Sequence, residues 1–184
     1  MNNLAELTTI NLDDPYMIKN QWDHLVSSTM HAWDSRNYVG LDFFNPYYKN
    51  LLSNIIHDVG IPHKNIVIQC HDKILKDGKR YLTTIHRDDA RLTCITIPIV
   101  YNLLEPINFY DDSIIVPSRG KPNICKPTQT SLYSHKNPTL VNVNNLHNVR
   151  IVEDDFPRIL LQISYDHRFN DIINNNPNIW KIFR

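Results

Sequence analysis

His86-Arg87-Asp88 and, much farther along, His147 are the residues whose types and spacing could do chemistry in this chain. Two neutral imidazoles and a carboxylate are good donors for a first-row divalent metal. On one side of an ion they form a facial set suited to Fe(II), with coordination positions left open for chemistry. In an extended segment residues i and i+2 share a side, so His86 and Asp88 could reach one ion while Arg87 points away. His-x-Asp alone is a weak signal. With 9 histidines and 19 acidic residues in 184, roughly one His-x-acid match is expected by chance. None of the other histidines has an acid two places on.

Context gives the match its weight. His86-Asp88 closes a strand candidate at 81–86, just before a second one at 91–100. His147 follows the turn residues Asn144-Asn145 and leads into Val149-Arg150-Ile151-Val152. Sheet pairing would have to span 147 − 88 = 59 residues to join the two pieces. Arg158 lies 158 − 147 = 11 positions after His147 and opens the apolar strand candidate 158–165. Its planar, permanently charged fork is the right group to hold a carboxylate through two parallel hydrogen bonds. Arg87, Asp89 and Arg91 read as an exposed, salt-bridged turn at the rim.

The elements that must position these residues come in two blocks. Ahead of residue 62 the pattern is helical. Ile18, Trp22, Leu25, Val26, Met30 and Trp33 fall near helical spacing after Asp14-Pro15. A second helix is predicted from Asn45-Pro46 to Val59-Gly60. From Ile66 the pattern turns to short strands at 66–70, 81–86, 91–100, 107–110, 131–135, 139–143, 147–152 and 158–165, separated by Pro, Asn, Asp and Ser. Pro98 suggests an edge or a strand end. Residues 118–130 read as a loop, and 179–183 as a short closing helix. Helices followed by about eight strands predict an α+β domain in which helices pack on a sandwich or jelly roll. The expected division is one domain over 1–184: helical support at 1–62, β core at 63–168 and a tail at 169–184.

With strand, His-x-Asp, strands, His, ten residues, Arg and strand in order, residues 66–165 resemble the Fe(II)/2-oxoglutarate-dependent dioxygenases. The resemblance implies a double-stranded β-helix with His86, Asp88 and His147 as iron ligands. Arg158 would pair with the distal carboxylate of 2-oxoglutarate. It also implies dioxygen as co-reactant, with decarboxylation of the keto acid to succinate coupled to hydroxylation of a C–H bond. The substrate would be an unidentified small molecule or protein side chain. Two features depart from the family pattern. Leu160, not serine, stands two places after Arg158, and the polar residue assisting the cosubstrate has three candidates, Tyr81, Thr96 and Asn102.

Composition narrows the alternatives. Lys+Arg and Asp+Glu both number 19, so no charge excess marks a broad nucleic-acid or anionic-membrane footprint. Cys70, Cys94 and Cys125 form no Cys-x-x-Cys pair, and an odd count without a leader suits a reducing cytoplasm. No apolar run approaches membrane-spanning length. Two competing classes remain. One is a cupin-like metalloenzyme without 2-oxoglutarate, which usually gathers several histidines and a glutamate in one short motif. The other is a metal-free β-sandwich binding domain in which His86 and Asp88 are a surface pair.

Overall fold

In the computed structural model the central strand, β8 (Arg158–Tyr165), carries two different faces, and they explain the layers around it. The structure describes residues 35–44, 46–71, 85–100, 106–114, 125–132, 137–149 and 158–176. Five antiparallel strands form a large sheet in the order β1 (Ser35–Val39), β2 (Asn65–His71), β8, β3 (Thr93–Val100), β6 (Thr139–Val141). Because side chains alternate along a strand, Ile159, Leu161, Ile163 and Tyr165 of β8 join Ile66, Ile68, Ile95, Ile97 and Ile99 on one face.

Helix α1 (Pro46–Val59) covers that face. Its buried residues Tyr48, Leu52, Ile55 and Val59 recur at helical spacing and make one apolar stripe. Proline at the first position lacks an N–H that would have no partner there anyway. Gly60, at φ 64°, ends the helix by donating its N–H to the Ile56 carbonyl at 3.1 Å. A side chain there would have room but would be strained by the left-handed backbone. Fully buried Leu52 and Leu161 are each worth roughly 1.5–3 kcal/mol of transfer free energy. A second helix, α2 (Phe169–Asn175), adds Ile172 to the same cluster.

The small sheet has the order β5 (Gln129–Leu132), β4 (Pro106–Phe109), β7 (His147–Val149), all antiparallel. Past β7, an isolated bridge pairs His86 with His147. The two sheets meet through Cys94, Ile107, Val141 and Val143, with Phe109 and Val149 against them. The described residues therefore form two antiparallel sheets with two helices, as the sequence predicts at that level. None of the helices described is long and apolar enough to cross a membrane.

Three details differ from the sequence reading. Residues 35–39, in the block read as helical, form β1 because β2 offers a free edge from Val39↔Ile66 to Ser35↔Cys70. Gln129 and Thr130, read as loop, pair with Phe109 and Asn108, so β5 begins two residues earlier than the pattern suggests. α2 occupies Phe169–Asn175, a stretch read only as tail. Pro98 is not on a sheet edge, since β3 lies between β8 and β6. It sits beyond Thr96, the last residue paired with β6, where a missing N–H costs no ladder bond on that side. The helix expected after Asp14, the 179–183 helix, Tyr81 and Asn102 lie outside the described residues.

Candidate metal centre

The centre is assembled by main chain before any side chain meets another. His86 and His147 exchange both backbone hydrogen bonds, at 3.0 and 2.9 Å. Residues directly opposed in an antiparallel bridge present their side chains on the same side. The imidazole centroids are accordingly 4.6 Å apart, tilted by 45°. Two residues on, the Asp88 N–H donates to the Val143 carbonyl at 3.0 Å, which keeps the segment extended. Asp88 thus falls on the side of His86, and Arg87 turns outward to an ion pair with Asp112.

One ligand atom from each of His86, Asp88 and His147 lies within 4.8 Å of the others. His86 Nε2 and Asp88 Oδ1 are 3.4 Å apart. Donors at about 2.1 Å from one ion and at right angles to each other stand about 3 Å apart, so this pair is near the separation a facial site needs. His147 Nδ1 is 2.8 Å from the Asn145 main-chain carbonyl. A carbonyl can only accept, so Nδ1 carries the proton and Nε2 is left with its lone pair, the arrangement a ligating histidine requires.

Burial and charge act on the three in different directions. Burial alone would push the Asp88 carboxyl up. The hydrogen bond from His86 and the charge and hydrogen bond of Arg91 outweigh it and hold the group well below the usual carboxylate range. Burial lowers the His147 pKa, and nearby His86 adds to that. The Asn145 carbonyl and Asp88 oppose the shift without reversing it. An ionised carboxylate beside a neutral imidazole is the protonation state in which a divalent cation is bound. The Asp88 side chain is 7% exposed and that of His86 37%, so the carboxylate is enclosed while the imidazole stays open to solvent.

Arg91 is the residue the sequence reading misplaced. It is buried, not part of an exposed rim. Its Nε donates to Asp88 Oδ2 at 2.6 Å, and Nη1 reaches Gln162 Oε1 at 3.0 Å and Ser164 Oγ at 3.3 Å. The side chain thereby ties the carboxylate to β8 and leaves Oδ1 turned to His86. The available signal was its place three residues after Asp88, beside an apolar strand. Thr96 lies at the far end of this polar chain: Gln162 Nε2 donates to Thr96 Oγ1 at 3.5 Å, and Cys94 Sγ is 3.1 Å from it. Arg158 opens β8, its main chain opposite His71. Its main chain stands four residues along β8 from Gln162, about 13 Å at strand rise.

No protein-family model matches this chain, and no curated protein does. Two solved structures are similar over 55% of it, each at 10% identity and a TM-score of 0.32. One is Fe(II)-HppE with the alternative substrate (S)-1-HPP. The other is the hydroxypropylphosphonic acid epoxidase from S. wedmorenis in complex with fosfomycin. The chain spans 42% and 43% of those two structures, less than half of either.

Proposed function

We propose that this chain is an Fe(II)-dependent oxygenase of the 2-oxoglutarate class, folded as a double-stranded β-helix and hydroxylating a C–H bond of its substrate. The observation that carries the reading is the meeting of His86, Asp88 and His147 within 4.8 Å on a main-chain framework. The strand order supports the fold. With the His86 segment counted beside β7, the small sheet reads β5-β4-β7-His86 opposite β2-β8-β3-β6. Setting β1 aside as an added edge strand, this order is compatible with the two facing four-stranded sheets of a jelly roll.

In this reading a bound iron would supply activation of dioxygen, whose reducing electrons come from the keto acid and the substrate C–H bond. The protein's residues hold and orient. His86 and His147 give neutral nitrogens and Asp88 an oxygen, while Asn145 fixes the His147 tautomer and Arg91 fixes the Asp88 rotamer. Arg158 is assigned the distal carboxylate of the keto acid on its charge and its position on β8. Thr96 is the one candidate helper among the described residues, alongside Tyr81 and Asn102.

Anaerobic titration with Fe(II) and then 2-oxoglutarate tests this. The expected result is a weak visible charge-transfer band, lost in Asp88→Ala, together with uncoupled succinate release once air is admitted. Arg158→Ala is expected to weaken keto-acid binding by about tenfold or more, the scale of a charge-assisted pair. Iron binding with no response to 2-oxoglutarate would instead identify a metalloenzyme that uses no keto acid.

A further inference from the structure

A cleft of about 520 Å³ opens between β4, β5, β6 and the start of α2, bordered by none of the three triad residues. Its described lining includes Phe109, Leu132 and Phe169 as apolar surface and Gln129, Asn142 and Asn170 as amides. None of the described lining residues is charged. A cavity of this size, part apolar and part amide, has room for a small molecule. A charged ligand would lose hydration there without gaining a counter-charge. Leu132, 60% exposed, is a large apolar side chain facing solvent at its edge.

Two lining residues also meet His147. The Asn145 carbonyl accepts from its Nδ1 at 2.8 Å, and the Phe109 ring centroid is 6.3 Å from the imidazole's. We propose that this cleft is a second site, for an uncharged small molecule with an aromatic or aliphatic body and an amide-type head, whose occupancy is sensed at His147. A ligand packed on Phe109 and Asn145 biases the two groups that orient the imidazole, and by linkage metal at the triad must alter ligand affinity equally. The coupling rests on the metal reading above; binding in the cleft does not.

Benzamide, with benzoate and benzylamine as charged isosteres, serves as the probe on the metal-free full chain. Backbone amide NMR shifts should saturate at Phe109 and Asn145 with benzamide at roughly millimolar concentration, and both isosteres should bind about tenfold more weakly. Leu132→Asp, at an exposed position the fold tolerates, should weaken benzamide and turn the preference towards benzylamine. Benzamide should also move the Co(II) midpoint by at least about threefold, with the reciprocal change in its own affinity. No saturable shift, or benzoate binding as well as benzamide, overturns the site. A Co(II) midpoint that benzamide leaves unmoved overturns the coupling. Failure of Co(II) to bind at all overturns the metal reading and the coupling with it, and the benzamide titration still decides the cleft.

Discussion

The two faces of the large sheet use the same strands for opposite purposes. Outward, Ile95, Ile97, Ile159, Leu161 and Ile163 pack with α1 into one apolar layer. Inward, Gln162 and Ser164 accept hydrogen bonds from Arg91, which also donates to Asp88, and Gln162 donates on to Thr96. The outward layer is held by area removed from water, which is non-directional and forgiving of shape-conserving exchange. The inward layer is held by donors and acceptors that become costly when one partner is removed. A period of two lets eight residues of β8 serve stability on one side and a polar site on the other.

Breaking the inward side should have the largest effect. Asp88→Ala leaves the Arg91 guanidinium buried without its carboxylate, which is expected to cost about 3–5 kcal/mol in urea unfolding and to abolish Fe(II) binding. The double replacement Asp88→Leu with Arg91→Met should recover most of that stability but none of the metal binding. A double variant as unstable as Asp88→Ala would show that the inward layer is not governed by the unpaired charge.

On the outward side, Leu161→Ala should cost about 2–5 kcal/mol through its cavity while leaving metal affinity unchanged. Equal stability loss with a parallel fall in metal affinity would mean the two faces are not separable. A finer contrast comes from Tyr165, whose buried hydroxyl has no hydrogen-bond partner among the described residues. Tyr165→Phe removes a desolvated group that gains nothing, so stability should hold or rise by about 1 kcal/mol. A clear loss in thermal unfolding would reveal a partner for that oxygen.

The pH dependence sharpens the comparison last. His147 is held below its ordinary pKa, so as pH falls through about 6.5 the unfolded chain takes up a proton that the folded chain refuses. Stability should therefore decline on acidification from that point, and a His147→Gln variant should lose this slope. Asp88 acts lower down. Its contribution is complete above the ordinary carboxylate pKa, begins to fall as pH drops through that value, and is gone only below the depressed folded one. Unfolding free energy measured from pH 8 to pH 3 separates the two, with the His147 slope near neutrality and the onset of the Asp88 loss only at the acid end.

Local pattern made part of this legible. The apolar run 158–165 has ends that agree with β8, and Pro46 to Gly60 carries its own start and stop signals. His86, Asp88 and His147 were legible through i, i+2 geometry and turn-to-strand placement. What escaped depended on distant partners. Ser35–Val39 becomes a strand because the edge of β2 is there to receive it. Arg91 looks like a surface charge until Gln162 and Ser164, 71 and 73 residues away, are brought beside it. Asn145 acts through its carbonyl, which no side-chain motif encodes.

The amides of His86, Asp88 and His147 all donate to main-chain carbonyls within one short ribbon. Capacity for an ion and integrity of that ribbon are consequently a single property. Peeling it from β7 disperses all three donors at once, and slow hydrogen exchange at these amides becomes a direct gauge of how often the centre exists.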